Sequence, residues 1–273
     1  MSKTIFITGA SRGFGRIWAE AFLKRGDNVA ATARNISQLD DLVEKYGDNV
    51  LPIQLDVNDR TADFAAVHQA KDYFGSIDVL INNAGYGLFG AIEETSEKEA
   101  RDQIETNVFG LLWITQAALP IMRKQGFGHI INVASVLGLV TFPNLGLYNA
   151  SKHAVEGISE TLASEVKEFG IKVSIVEPFG FSTDWNNASA IHTAAMPEYD
   201  QLKAGMKANA PKAEFWGNPV STGEAIIKLT DADNPPLHLL LGKYAYPRVK
   251  QVYQSRFDEW DKWNDVAISA HGH

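Results

Sequence analysis

The stretch Thr4-Ile5-Phe6-Ile7-Thr8-Gly9-Ala10-Ser11-Arg12-Gly13-Phe14-Gly15 runs from an apolar segment straight into a glycine-rich turn. The run Thr4–Thr8 has no alternation, which is the pattern of a parallel strand buried on both faces. The spacing after the turn predicts a helix over Phe14–Arg25. Gly9 permits a tight turn, Gly13 lets the backbone approach a pyrophosphate, and Gly15 lets helix and strand pack closely. The helix start offers unpaired N–H groups and a partial positive charge to an anion there.

The same alternation continues outward along the chain. Strands are expected at Asn28–Ala33, Val50–Leu55, Val79–Ile81, His129–Ala134, Lys172–Val176 and His238–Leu241. Between them Ile36–Lys45, Thr61–Phe74, Lys98–Gln125 and Gly146–Phe169 read as helices. Gly26, Gly47, Gly75, Gly126 and Gly170 each follow a helix, where a left-handed residue ends it. Repeated strand–helix units predict one α/β domain over residues 1–273, a single-domain Rossmann fold. Its doubly wound parallel sheet has about seven strands, with helices on both faces. The least regular stretch, Phe179–Asn218, follows a strand end and reads as a substrate loop or lid, with an ordinary surface excursion as the alternative. The tail Tyr244–Ile268 carries Tyr253, Phe257, Trp260 and Trp263. That spacing predicts an amphipathic helix packed on the body, with another subunit as the alternative cover.

Composition narrows the function. The 273 residues are 45% hydrophobic and 21% charged, with 25 basic and 33 acidic side chains and a net charge of −8. That balance argues against general nucleic-acid binding, which needs a basic face. The chain has no cysteine, which excludes disulfides, thiolate metal sites and cysteine nucleophiles. The residues before Ile5 are few and polar, so no signal peptide is expected. No apolar run approaches ~18 residues, so no membrane span is expected either, and the default location is cytoplasmic.

Several motifs carry chemistry. An acidic residue at the end of the second strand would bind a ribose 2′-hydroxyl. Ala31-Thr32-Ala33-Arg34 stands there instead. No carboxylate repels a 2′-phosphate, and Arg34, helped by Arg12, can hold one through forked donors, which points to NADP(H). Asp56, followed by Val57, could accept from an adenine amino group or cap the next helix. In Asn82-Asn83-Ala84-Gly85 the small residues permit close approach to the adenosine side. The asparagines there can pin neighbouring strands. Ser135 ends the fifth strand, and Tyr148 follows thirteen positions later. Tyr148 and Lys152 stand four apart and so share a helix face. Asn107 sits among apolar neighbours of the Lys98–Gln125 helix, an unusual place for an asparagine.

Taken together, the Thr8–Gly15 loop, Asn82–Gly85, Asn107, Ser135 and Tyr148 with Lys152 resemble the short-chain dehydrogenase/reductase family, in its order and spacing. The resemblance covers roughly Lys3 to Thr183. It implies Tyr148 as general acid or base, and Lys152 as the ammonium that lowers the tyrosine pKa and binds the nicotinamide ribose. It implies Ser135 as the group orienting the substrate oxygen, and Asn107 as holder of a relay water. It places Gly9, Ser11, Arg12, Gly13, Phe14, Gly15, Asp56, Val57, Asn83, Ala84 and Gly85 along the cofactor, with Pro178, Gly180 and Thr183 at its nicotinamide end. One departure stands out, since Phe179 occupies the family's usual glycine position after Pro178. The expected substrate wall is Leu137, Phe142, Leu145, Phe181 and Trp185, with Val136 and Trp216 divided between rim and core. Such a wall suits a hydrophobic ketone, aldehyde or secondary alcohol. Homo-oligomers, as dimer or tetramer, are implied by the resemblance, and no metal is required. An isomerase or dehydratase with bound cofactor, and a non-catalytic NADP(H) sensor, stand as alternatives.

Overall fold

In the computed structural model, which describes residues 2–183, 185 and 190–272, the opening run becomes strand β1 (Thr4–Ile7) and the turn leads into helix α1 (Gly13–Arg25). Then follow β2 (Asn28–Ala33), α2 (Asp40–Tyr46), β3 (Val50–Gln54), α3 (Arg60–Phe74), β4 (Val79–Asn82) and the short β5 (Gly87–Phe89). Next come α4 (Glu97–Ile104), α5 (Gly110–Gln125), β6 (Gly128–Val133), α6 (Gly146–Val166) and β7 (Ile171–Pro178). The chain closes with β8 (Ala190–His192), α7 (Asp200–Ala208), α8 (Thr222–Asp231), β9 (His238–Leu241) and α9 (Ala245–Ser269).

Seven strands form one parallel sheet in the order β3-β2-β1-β4-β6-β7-β9. Order reverses between β1 and β4, so the C-terminal ends of these two strands diverge into a crevice, the usual ligand position of such sheets. Ile5 and Ile7 of β1 enter the core on one face with Trp18 and Phe22 of α1, while Phe6 enters the other with Val67, Ile114 and Met122. An apolar run without alternation is thus needed to fill two cores at once, each large side chain contributing about 1.5–3 kcal/mol. The Trp18 indole N–H donates to Thr222 Oγ1 at 2.8 Å and joins α1 to α8.

The structure departs from the sequence reading in four places. The expected helix Lys98–Gln125 is interrupted by a π-helical turn at Glu105–Phe109, with α4 before it and α5 after it. Residues 36–45 divide into a 3₁₀ turn (Ile36–Leu39) and α2. The stretch 179–218 is less irregular than its composition suggests. It carries β8, which pairs in parallel with β5, and α7. Asp184 and residues 186–189 of that stretch lie outside the described residues. Finally, α9 forms as expected, but its aromatics are not core. Phe257 is 50% exposed, Trp260 57% and Trp263 64%. The first turns of α9 are held through Ala245, Val249 and Val252, and by Arg256, which donates to the Leu139 carbonyl at 3.0 Å. The helix then runs past the edge of the body.

Candidate active site

The C-terminal ends of β1, β2, β4, β6 and β7 border a single cleft of roughly 1350 Å³, more than one small ligand needs. Gly9 and Gly13 adopt positive φ of 68° and 57°. A Cβ on Gly15 would meet the Gly9 carbonyl and come 2.5 Å from Asn83 Nδ2, so only glycine lets α1 lie this close. Asn83 in turn donates to the Thr8 and Gly9 carbonyls at 2.9 and 3.1 Å, and Thr8 Oγ1 accepts from the Asn83 and Ala84 amides. The β4 end therefore fixes the loop. No side chain caps the N-terminus of α1, and its first turn holds no acidic residue. Those N–H groups are free for a phosphate, so the loop fits a dinucleotide on its geometry.

Arg12 and Arg34 are exposed at this end of the cleft, and neither has a salt-bridge partner among the described residues. Asp56 and Val57 line the adjoining wall. Asp56 Oδ1 accepts from the Asn58 amide at 3.1 Å, whereas the cap of α3 is Asp59. Asn82 Nδ2 donates to Thr115 Oγ1 and Asn132 Oδ1, both at 2.9 Å, so it pins neighbouring elements as its position suggested.

Deeper in the cleft lie Ser135, Tyr148 and Lys152, each under a tenth exposed. Ser135 sits just beyond β6, its hydroxyl accepting from the Leu137 amide at 3.1 Å. Burial pushes the Tyr148 phenol above its ordinary value, and the Ser135 hydroxyl opposes that shift. Lys152 stands one helical turn beyond Tyr148 on α6. Its ammonium donates to the Val133 carbonyl at 2.7 Å and lies 5.8 Å from the Tyr148 ring centre. Burial pulls Lys152 down to about 8, with Glu156 opposing.

Asn107 and Gly15 are the two expected residues that do not border the cleft. Asn107 lies in the π-helical turn and is buried. Its Nδ2 donates to the Tyr86 carbonyl (3.0 Å) and Ser151 Oγ (3.1 Å), and its Oδ1 accepts from the Tyr86 amide (3.1 Å). It thus fixes the chain after Gly85 against α6. The remaining expected residues, Ser11, Phe14, Gly85, Leu137, Phe142, Leu145, Pro178, Gly180, Phe181, Thr183 and Trp185, all line the cleft, as does Trp216. Val136 is fully buried and belongs to the core.

Phe179 keeps the β-strand path, its amide donating to the Leu241 carbonyl at 2.9 Å, and the positive φ (75°) falls one residue later on Gly180. Its ring meets Phe142 in a stack (6.1 Å) and Phe215 edge-on (5.3 Å), and Phe215 stacks on Tyr244 (5.0 Å). Trp185 lies 4.9 Å from the Tyr148 ring and 5.1 Å from Phe89. The sequence reading missed Phe89, Phe179 and Phe215 as walls. The Phe179 departure was the one visible signal, since Phe215 comes from a distant loop. Glu94 anchors that loop by accepting from the Met196 amide at 2.8 Å and pairing with Lys203.

Comparison with known proteins agrees with this geometry. The family model described as short chain dehydrogenase matches residues 3–193. A 3-ketodihydrosphingosine reductase of Bacteroides thetaiotaomicron is 40% identical over 244 residues, covering 88% of each chain. The crystal structure of a short-chain dehydrogenase from Streptomyces avermitilis is 38% identical, with a TM-score of 0.91 over 98% of this chain and 100% of that one. ElxO with NADP bound is 28% identical, with a TM-score of 0.76 over 90% of this chain and 100% of its own.

Proposed function

The chain belongs to the short-chain dehydrogenase/reductase family, and from that premise we propose that it is an NADP(H)-dependent oxidoreductase that interconverts a hydrophobic ketone or aldehyde and its alcohol. The observation that carries this reading is Tyr148, a buried phenol facing the cleft beside Ser135 and Lys152. NADPH supplies the hydride when bound. The protein contributes position and a proton. A phenol raised by burial is protonated near neutrality, the state a general acid needs for carbonyl reduction. The Ser135 hydroxyl stands where it can donate to the substrate oxygen as negative charge grows. Once Tyr148 releases its proton, the Lys152 ammonium is the cation at hand to stabilise the phenolate.

NADP(H) is supported by Arg34 and Arg12 at the end of the cleft where a carboxylate is missing, and by the bound NADP of ElxO. A hydrophobic substrate is supported by the aromatic wall of Phe142, Phe179, Phe215 and Trp185. The related sphingoid reductase also acts, by its name, on a ketone. Self-association belongs to the same proposal, with Phe109 exposed on the π-helical turn between α4 and α5 as a candidate contact. No described helix is long and apolar enough to cross a membrane, and a cytoplasmic location is proposed with it.

The test is NADPH oxidation over a panel of hydrophobic ketones and aldehydes, repeated with Tyr148→Phe. The variant should bind NADPH normally and lose ~10²–10⁴ in kcat/KM. Undiminished turnover would remove Tyr148 from the chemistry. Conversion without net NADPH consumption would mark an isomerase or dehydratase instead.

A further inference from the structure

One turn beyond Lys152 on α6, Glu156 is only 4% exposed, and neither of its carboxylate oxygens accepts a hydrogen bond. Glu177 of β7 is fully buried beside it, with Oε2 also lacking a partner. His238 opens β9 and faces both. Its Nδ1 lies 2.8 Å from Glu177 Oε1 and 3.6 Å from Glu156 Oε2, and its Nε2 lies 3.8 Å from Glu160 Oε1. Two elements, α6 and β7, thus bring three carboxylates to the imidazole of a third, β9. An imidazole offers two N–H groups at most, far fewer than six carboxylate oxygens can accept. The neighbouring ammonium of Lys152 is turned to the Val133 carbonyl. Buried carboxylates that lack donors call for a cation or for protons.

We propose that Glu156, Glu160 and His238 bind a divalent first-row cation, Zn²⁺ or Mn²⁺, with Glu177 orienting the imidazole. Ligand atoms of the three residues lie within 4.8 Å of one another, a spread that small side-chain shifts can close around one ion. With bonds of about 2.0–2.2 Å, two ligands of one ion stand up to roughly 4.4 Å apart. A mixed nitrogen and carboxylate set favours these ions over Mg²⁺ or Ca²⁺. If Nδ1–H donates to Glu177, the Nε2 lone pair is left towards Glu160, the carboxylate–imidazole–metal arrangement of many metal sites. The His238 and Glu160 side chains are 39% and 53% exposed, so an ion can enter from solvent. None of the four residues borders the cleft, so the ion is separate from the proposed carbonyl chemistry. Protons are the competing occupants, since burial pushes Glu156 and Glu177 each up to about 8.

The experiment titrates EDTA-treated full-length protein with Mn²⁺ and follows free Mn²⁺ by electron paramagnetic resonance, with Zn²⁺ and then Mg²⁺ as competitors. Expected is one ion per chain, displaced by Zn²⁺ and not by equal Mg²⁺, with binding weakened at least ~10-fold in both Glu160→Gln and His238→Ala. Glu160→Gln changes an exposed side chain and keeps the fold testable by circular dichroism. Absence of saturable Mn²⁺ binding, binding that survives in both folded variants, or displacement by equal Mg²⁺ would overturn the proposal.

Discussion

Arg34 is the side chain on which cofactor choice turns. It stands at the cleft end of β2 without a salt-bridge partner among the described residues. Arg34→Ala should weaken NADPH by about 1.5–3 kcal/mol, the worth of a hydrogen bond to a charged group, and leave NADH unchanged. Fluorescence titration of both cofactors measures the difference, and equal losses would exclude Arg34 from phosphate recognition. At this scale the sequence was informative wherever a residue type and its place in an element together define a task. Ser135 at a strand end, and Tyr148 four before Lys152 on a helix, had to share the cleft if the strands were parallel. What it could not convey is environment. The upward shift of Tyr148 comes from neighbours distant in sequence, and the three hydrogen bonds that hold Asn107 come from Tyr86 and Ser151.

Elements were legible where a periodic pattern persisted and less so where one extra residue intervened. A π turn adds one residue, and Glu105–Phe109 holds no glycine or proline to mark the insertion, so it was hidden inside what reads as one long helix. The short β5 and β8 each have three residues, too few for any period to register. Between β6 and β7 a buried histidine sets a pH dependence. His129 Nε2 lies 3.0 Å from Ser174 Oγ, and burial, then the charges of Lys172 and Lys3, pull its pKa down to about 4. The unfolded chain takes up a proton near 6.5, whereas the folded chain does not do so until about 4. This part of the stability is therefore complete above pH 6.5 and declines as pH falls towards 4, by roughly 1.4 kcal/mol per unit. Urea denaturation at pH 7 and pH 5 should show this as a difference between the wild type and His129→Asn, the change in stability between the two pH values differing by about 2 kcal/mol. The raised carboxylates of Glu156 and Glu177 act in the opposite direction in both proteins and cancel in that comparison. An identical pH dependence in the variant would assign the effect to other groups.

For the whole molecule, the parallel order of seven strands brings the glycine loop, Asn83, Ser135 and Pro178 to one sheet edge although they span most of the chain. That convergence was readable because strand order in such a sheet is strongly constrained. The fate of α9 was not, because an amphipathic spacing says that a face wants cover and not where the cover is. Every described side chain from Phe257 onward is exposed. Deleting residues 257–273 should thus leave the thermal midpoint of the monomeric unit within about 2 °C, since surface changes of this kind stay near ±0.5 kcal/mol. A larger fall that depends on protein concentration would show that this helix end is covered by association.

Trp185 has a further consequence that is optical. Its indole stands 4.9 Å from the Tyr148 ring, at the end of the cleft where the nicotinamide is expected. Indole emission overlaps the absorption of a reduced nicotinamide, so energy transfer at this range should quench Trp185 when NADPH binds. NADP⁺, which lacks that absorption, should quench it far less. Comparing the wild type with Trp185→Phe isolates this signal from that of Trp216, which also lines the cleft, and from those of Trp18, Trp113, Trp260 and Trp263. The oxidation state of the bound cofactor could then be followed through the protein's own emission, turnover by turnover.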